Sequence, residues 1–198
     1  MRVITYGEGE CKALLERIAS ETRRPRALLA VLGRELRNSL VDHFRRMDRE
    51  HPNKLGGDRQ HFWNGIANSV SQPKVEEWQG KATVGIGDPR FMQKLMGGPI
   101  RPVKAEALAI PLTAQSYGRY PGVFEREFGV SLFLVKSKSG KAPVLASKNE
   151  AGGITAQYVL SKGIKQEPDP EALPPREDVE ARLMARAKAW AGRLGKRT

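Results

Sequence analysis

The chain has 198 residues, with 34 basic and 22 acidic side chains and a net charge of +12. Hydrophobic residues at 39% and aromatics at 7% suffice for one modest core and argue against a large enzyme. A single cysteine, Cys11, excludes an internal disulfide framework and a multi-cysteine zinc site, and no run approaches the ~18 apolar residues of a membrane span.

The basic excess is spread evenly: four charges over residues 1–60, five over 61–150 and three over 151–198. A nucleic-acid-binding tail would concentrate it. An even excess fits a chain that is soluble alone and drawn to polyanions or acidic partner surfaces. The opening MRVITYGEGE has no apolar signal-peptide core, so synthesis and assembly in a reducing cytosol are expected.

Residues 3–6 suit a small strand and 12–19 a short helix. Pro25 then precedes the clearest periodic segment. Leu28, Leu32, Leu36, Leu40 and Phe44 recur every four residues, and Met47 follows by three. This predicts one apolar stripe on a helix of about six to seven turns. Arg26, Arg34, Arg37, Arg45, Arg46 and Arg49, with Glu35, Asp42 and Asp48, fill the rest of its surface. His51-Pro52 ends it, because the residue before proline disfavours the helical region.

A polar loop over 53–60 leads to a second helix over 61–70, with Phe62, Ile66 and Val70 on one face and Trp63 beside it. Over 74–87 the alternation of Ala82, Val84 and Ile86 predicts a strand. A short helix or ordered loop is expected over 91–96, and Gly97-Gly98-Pro99 breaks the chain. Extended segments follow at 100–104 and 107–112, the latter held to a sheet edge or strand end by Pro111. Residues 113–129 read as an irregular excursion. Strands are expected over 130–135, 144–147 and 154–164, the first two forming a hairpin. Four prolines between 168 and 175 predict an extended linker. In the final helix, over 177–194, Val179, Leu183, Ala187, Trp190 and Leu194 form the apolar row.

The expected fold is therefore α+β: a mainly antiparallel sheet of short strands flanked by a long N-terminal helix and a C-terminal helix. Residues 1–165 are expected as one domain with a protruding basic hairpin near 130–148. Residues 166–176 are the proline-rich linker and 177–198 the terminal helix, whose apolar row suits core packing or docking on another subunit.

The chemically capable side chains do not assemble into a catalytic constellation in the sequence. His43, His51 and His61 are spaced by eight and ten, too far apart for a shared metal on one helix, and read as surface or capping residues. Cys11 has no CxxC partner or nearby histidine and reads as a small buried residue. Glu76-Glu77 precedes a strand, where neighbours face opposite ways. Glu177-Asp178 lies in a helix's first turn, where acids complement the dipole. Gly85-Ile86-Gly87 lacks the third glycine of a phosphate cradle and reads as a turn. No catalytic, cofactor or metal residue is predicted.

The segment 130–148, VSLFLVKSKSGKAPVLASK, carries Lys136, Lys138, Lys141 and Lys148 and no acid. Its lysines either solubilise an exposed edge or meet DNA backbone or an acidic neighbouring subunit. The tip has no aromatic, which argues against base-specific binding.

The order of several motifs carries a resemblance. Gly97-Gly98 leads into a basic, proline-containing stretch (Arg101-Pro102, Lys104) and then Ala107-Leu108-Ala109-Ile110-Pro111-Leu112. LFLVKSKSG at 132–140 and YVLSKGIKQEPDPEALPP at 158–175 follow. Phe62, Trp63, Ile66, Ser69 and Val70 trail the long helix. Over roughly 25–195 this layout resembles the phage virion morphogenesis family, the Mu-like neck and tail-completion proteins. Lys94, Leu95 and Met96 stand where family members often carry a histidine, and Leu173-Pro174-Pro175-Arg176 replaces a common PxRP ending.

The resemblance implies a virion protein without enzymatic activity or cofactor, assembled in the host cytoplasm. It would act as a homo-oligomeric ring at the neck or head-proximal tail end, beside tail-tube, connector or neck proteins and away from membranes. Arg101, Lys104, Ile110, Val179, Leu183 and Trp190 are the candidate subunit contacts. Lys136, Lys138 and Lys141 are the candidate contacts to channel DNA or an acidic partner. The competing reading is a nucleic-acid-binding module without sequence specificity, resting on the +12 charge and the lysine-rich hairpin. An enzyme such as a nuclease or peptidase ranks last.

Overall fold

Pro25 stands at the start of the long periodic segment, and its carbonyl accepts the Leu29 N–H at 2.8 Å. Helix α1 then runs unbroken over Arg26–Glu50. The structure, a computed structural model, describes residues 25–51, 55, 56, 61–136, 142–149 and 152–194. The strand expected at 3–6, the helix at 12–19, Cys11, Lys138, Lys141 and most of the 53–60 loop lie outside the described residues.

Beyond α1 come α2 (Phe62–Asn68), β1 (Lys74–Glu76), a 3-10 turn (Glu77–Gln79), β2 (Lys81–Thr83) and α3 (Pro89–Met96). Then follow β3 (Gly98–Ile100), β4 (Leu108–Pro111), α4 (Pro121–Phe128) and β5 (Phe133–Val135). β6 (Val144–Lys148), β7 (Ile154–Ser161), β8 (Ile164–Gln166) and α5 (Arg176–Leu194) complete the order. Among the described residues the strand pairings are antiparallel, and the fold is α+β.

Two compact units divide these elements. Among the described residues, one holds 25–47, Trp63–Pro89 and 171–194; the other holds those between Asp48 and Phe62 and between Arg90 and Pro170. In the first unit the α1 stripe is buried in its C-terminal half, at Leu40, Val41, Phe44 and Met47. Leu28, Leu32 and Leu36 are only half-buried. Phe44 stacks on Trp63 with centroids 6.0 Å apart, and Ile66, Ala67 and Val70 close that core. Trp63 therefore belongs to the core rather than beside it. Burying a side chain such as Phe44 contributes about 2–3 kcal/mol.

The strand expected over 74–87 is instead a hairpin, β1 against β2, followed by a lone bridge from Ile86 to Val70. Gly80, left-handed at φ +60, turns the chain between its strands. Gly85-Ile86-Gly87 is thus bridged backbone and not a free turn: Gly85 O accepts from Ser71 N–H, and Gly87 N–H donates to Ser69 O.

In the second unit the glycine pair has a definite geometry. Gly97 (φ +66) closes α3, its N–H donating to Gln93 O at 3.0 Å, and Gly98 follows at φ +113. A Cβ on Gly97 would lie 2.6 Å from Gln166 O, so both conformation and space require glycine there. β3 then pairs with β8, while β4, β7, β6 and β5 form a four-stranded sheet in that order.

The expected irregular excursion over 113–129 contains helix α4. Pro121 opens it and Gly129 ends it at φ +63, the usual placement of these two residues. Its Phe124 is buried edge-on against Tyr158, with centroids 5.9 Å apart. The proline-rich stretch is held at both ends: Asp169 pairs with Lys94 at 3.0 Å in the second unit, and Ala172 is fully buried in the first.

Candidate functional site

Register places four β-branched side chains in one row across the sheet: Ile110, Val159, Val144 and Val135, on β4, β7, β6 and β5. The outer two strands are the sheet's edges. Ile110, a predicted subunit contact, is half-buried in edge strand β4, and Pro111 closes that strand. On the other edge, Leu134 is 50% exposed and Val135 36%. Short edges bounded by proline and lysine limit how far another strand can pair.

One end of this sheet gathers residues distant in sequence. Because the pairings alternate in direction, β5 ends where β6 begins, β7 ends and β4 begins. Leu160 N–H donates to Pro143 O at 2.8 Å across that end. The chain turns at Lys162-Gly163 into β8, and Ile164 pairs with Ile100 of β3. A side chain on Gly163 would start 3.2 Å from Ile100 O and 3.5 Å from Arg101 Cγ, so Arg101 lies against this turn. The bend over 101–107 joins β3 to β4 here. Of the predicted residues, Arg101, Lys104 and Lys136 thus meet at one end, all exposed, and exposed Lys162 joins them. Lys162 escaped the sequence reading because only the β7–β8 turn brings it near Arg101.

A second unforeseen feature lies toward the opposite end. The β6–β7 register shifts between Leu145 and Ala146, leaving Gln157 as the extra residue of a bulge. Thr113 Oγ1 donates to Gln157 Oε1 at 2.6 Å, and Gln157 Nε2 donates to Ser147 Oγ at 3.1 Å. Ser116 Oγ donates to Gln157 O at 2.8 Å. Ser116, Ser147 and Gln157 are all buried, and this bonding offsets their desolvation. Beside it, Tyr158 donates its hydroxyl to Arg119 O at 3.1 Å, and burial pushes its phenol above the usual tyrosine range.

In the first unit, α5 is tied to α1. Arg182 reaches Glu35 at 2.9 Å and Asp42 at 3.1 Å. Val179, Leu183 and Trp190 are half-buried, while Met184 is 59% exposed. His43 is buried, correcting its reading as a surface or capping residue. Its Nε2–H donates to Glu171 O at 2.9 Å, and its Nδ1 accepts from Arg46 at 3.1 Å. Sequence spacing could not show this, because Glu171 lies 128 residues away.

His51 is exposed, and His61 pairs with Asp48 at 2.9 Å within the second unit. Glu76 ends β1 and Glu77 opens the 3-10 turn that leads into β2. The hydrogen bond from Lys74 holds the Glu76 carboxyl below its ordinary range. Glu177 and Asp178 occupy the first turn of α5. Among the described residues no three His, Cys, Asp or Glu side chains are grouped to hold a metal, and no helix is long and apolar enough to cross a membrane. Comparison with protein-family models, curated proteins and solved structures finds no match to the chain.

Proposed function

We propose that the chain is a non-catalytic structural component of a tailed-phage virion, forming a closed ring at the neck or head-proximal end of the tail. The observation that carries this reading is the four-stranded sheet with β4 at one edge and β5 at the other. Two different edges on opposite sides of one sheet suit head-to-tail contact between copies, and such an interface makes a ring when its rotation closes. Pro111 closes one edge and Lys136 follows the other, which keeps pairing short and favours a defined register over open-ended growth. The motif order from the glycine pair to the proline-rich stretch supports the same reading.

Ile110 and Leu134 would lie in this contact, and the half-buried row of α5 (Val179, Leu183, Trp190) offers a second one. The purified protein is expected to form a discrete ring by light scattering and negative-stain imaging, and to co-purify with tailed particles from its source. Leu134→Lys, placing a charge in the edge contact, is expected to yield monomers that keep their circular dichroism. A strict monomer at tens of micromolar, absent from purified particles, would sink the proposal.

A further inference from the structure

We infer that the sheet end formed by the 101–107 bend, the β7–β8 turn and the end of β5 is a composite phosphate-binding surface for duplex DNA, read without regard to sequence. Arg101, Lys104, Lys136 and Lys162 come from three chain segments and converge only through the sheet's pairing. All four are exposed, and none has an ion-pair partner among the described residues. Glu106 is the one acid in 101–107.

Spacing supports an extended anionic partner. From β4 to β5 the end spans three inter-strand gaps, about 14 Å, and Lys136 and Lys162 stand on the order of 10 Å apart. A duplex presents one negative charge about every 1.7 Å of axis, so separated cations each find a phosphate without shape matching. An acidic protein surface fits less well. Protein interfaces are centred on apolar or aromatic anchors and depleted in lysine at the core, whereas here the exposed apolar side chains, Val103, Val135 and Ile164, are separate aliphatic residues interleaved with the four cations. Residues 101–107, 136, 142–143 and 161–163 contain no aromatic, which removes the stacking platform that single strands need.

The inference needs no ring and no virion, so it stands apart from the proposed function. Its test is fluorescence anisotropy of the full chain on a 30-base-pair scrambled duplex over a salt series. Four phosphate contacts give a slope of log affinity against log salt of about −3.6, hence roughly a hundredfold loss between 50 and 200 mM. The variant R101Q/K104Q/K136Q/K162Q is expected to lose most binding and nearly all of that slope. The control R26Q/R34Q/R45Q/K188Q, equal in charge and placed on α1 and α5, should bind like the parent.

Equal loss in both variants would overturn the site in favour of net charge. No binding by the parent at 50 mM salt would overturn it in favour of an acidic protein partner. Unchanged circular dichroism and Tm certify that the variants fold, and R101K/K104R/K136R/K162R should restore binding. Ring formation by a protein that ignores DNA refutes this inference alone; DNA binding by a strict monomer refutes the ring alone.

Discussion

Gly33 is a buried glycine inside α1, and the structure predicts opposite outcomes for one substitution at two helical sites. Intrinsic propensity favours Gly→Ala in a helix by about 1 kcal/mol. At Gly33 the new Cβ would lie 2.6 Å from Pro73 Cβ and 3.3 Å from Ala82 Cβ, about 1 Å inside the ordinary contact distance. Both neighbours are set by backbone, since a proline ring and an alanine have no rotamer to swing away. Overpacking costs about 1–3 kcal/mol, and an approach of 2.6 Å to a rigid ring belongs to the upper part of that range, about 2–3 kcal/mol, so it outweighs the propensity gain. Gly33→Ala is expected to be less stable than the parent by about 1–2 kcal/mol, whereas Gly192→Ala in α5, with nothing within 4 Å, gains up to about 0.5 kcal/mol near the helix end. Urea unfolding followed by circular dichroism measures both. Pro73→Gly should relieve part of the Gly33→Ala cost in a double-mutant cycle. A Gly33→Ala protein as stable as the parent would refute the claim that α1 lies against the 73–82 backbone.

Gln157→Leu removes the partner of the buried Ser147 hydroxyl and one of the bonds of Thr113, which keeps those to Ser116; a loss of about 1–3 kcal/mol is expected. The triple variant T113V/S147A/Q157L should regain part of it, and a single variant within 0.5 kcal/mol of the parent (on the order of experimental error) would dismiss the network as a stability determinant. Tyr158 keeps its proton longer in the folded state than the ordinary value of about 10 allows. Its contribution is therefore intact below about pH 10 and declines as pH rises through the raised folded value. Phenolate absorbance should show one of the four tyrosines ionising late, a fraction that Tyr158→Phe removes; a single step for all four in the native protein would contradict its burial.

Local chemistry made much of the fold readable. The four-residue spacing of α1 and α5, and the apolar arms of β5 and β6, are periodic patterns that need no knowledge of distant partners. Helix α4 was equally local, with Pro121 and Gly129 at its ends, but the surrounding Gly118, Pro121 and Gly122 masked it as irregular chain. What stayed hidden depends on long-range register. The burial of His43 needs Glu171, and the bulge at Gln157 needs β6. Lys162 reads as a solvated turn residue until β8 folds back along β3. Arg101, Lys104 and Lys136 were legible as exposed cations, but nothing in their spacing shows that they share one end of a sheet.

The two units differ in when they can form during synthesis. Every residue of the second has left the peptidyl-transfer centre once Pro170 is made, and its ends are latched by Asp169 N–H on Lys94 O at 3.1 Å. The first unit must wait, because His43 holds Glu171 and Glu35 holds Arg182. The polar groups of its long early helix therefore wait for partners made last, while the basic sheet end belongs to a unit with no such delay. Contacts that span so much chain form slowly, which makes the first unit, rather than the sheet, the part of the nascent protein that stays incomplete longest.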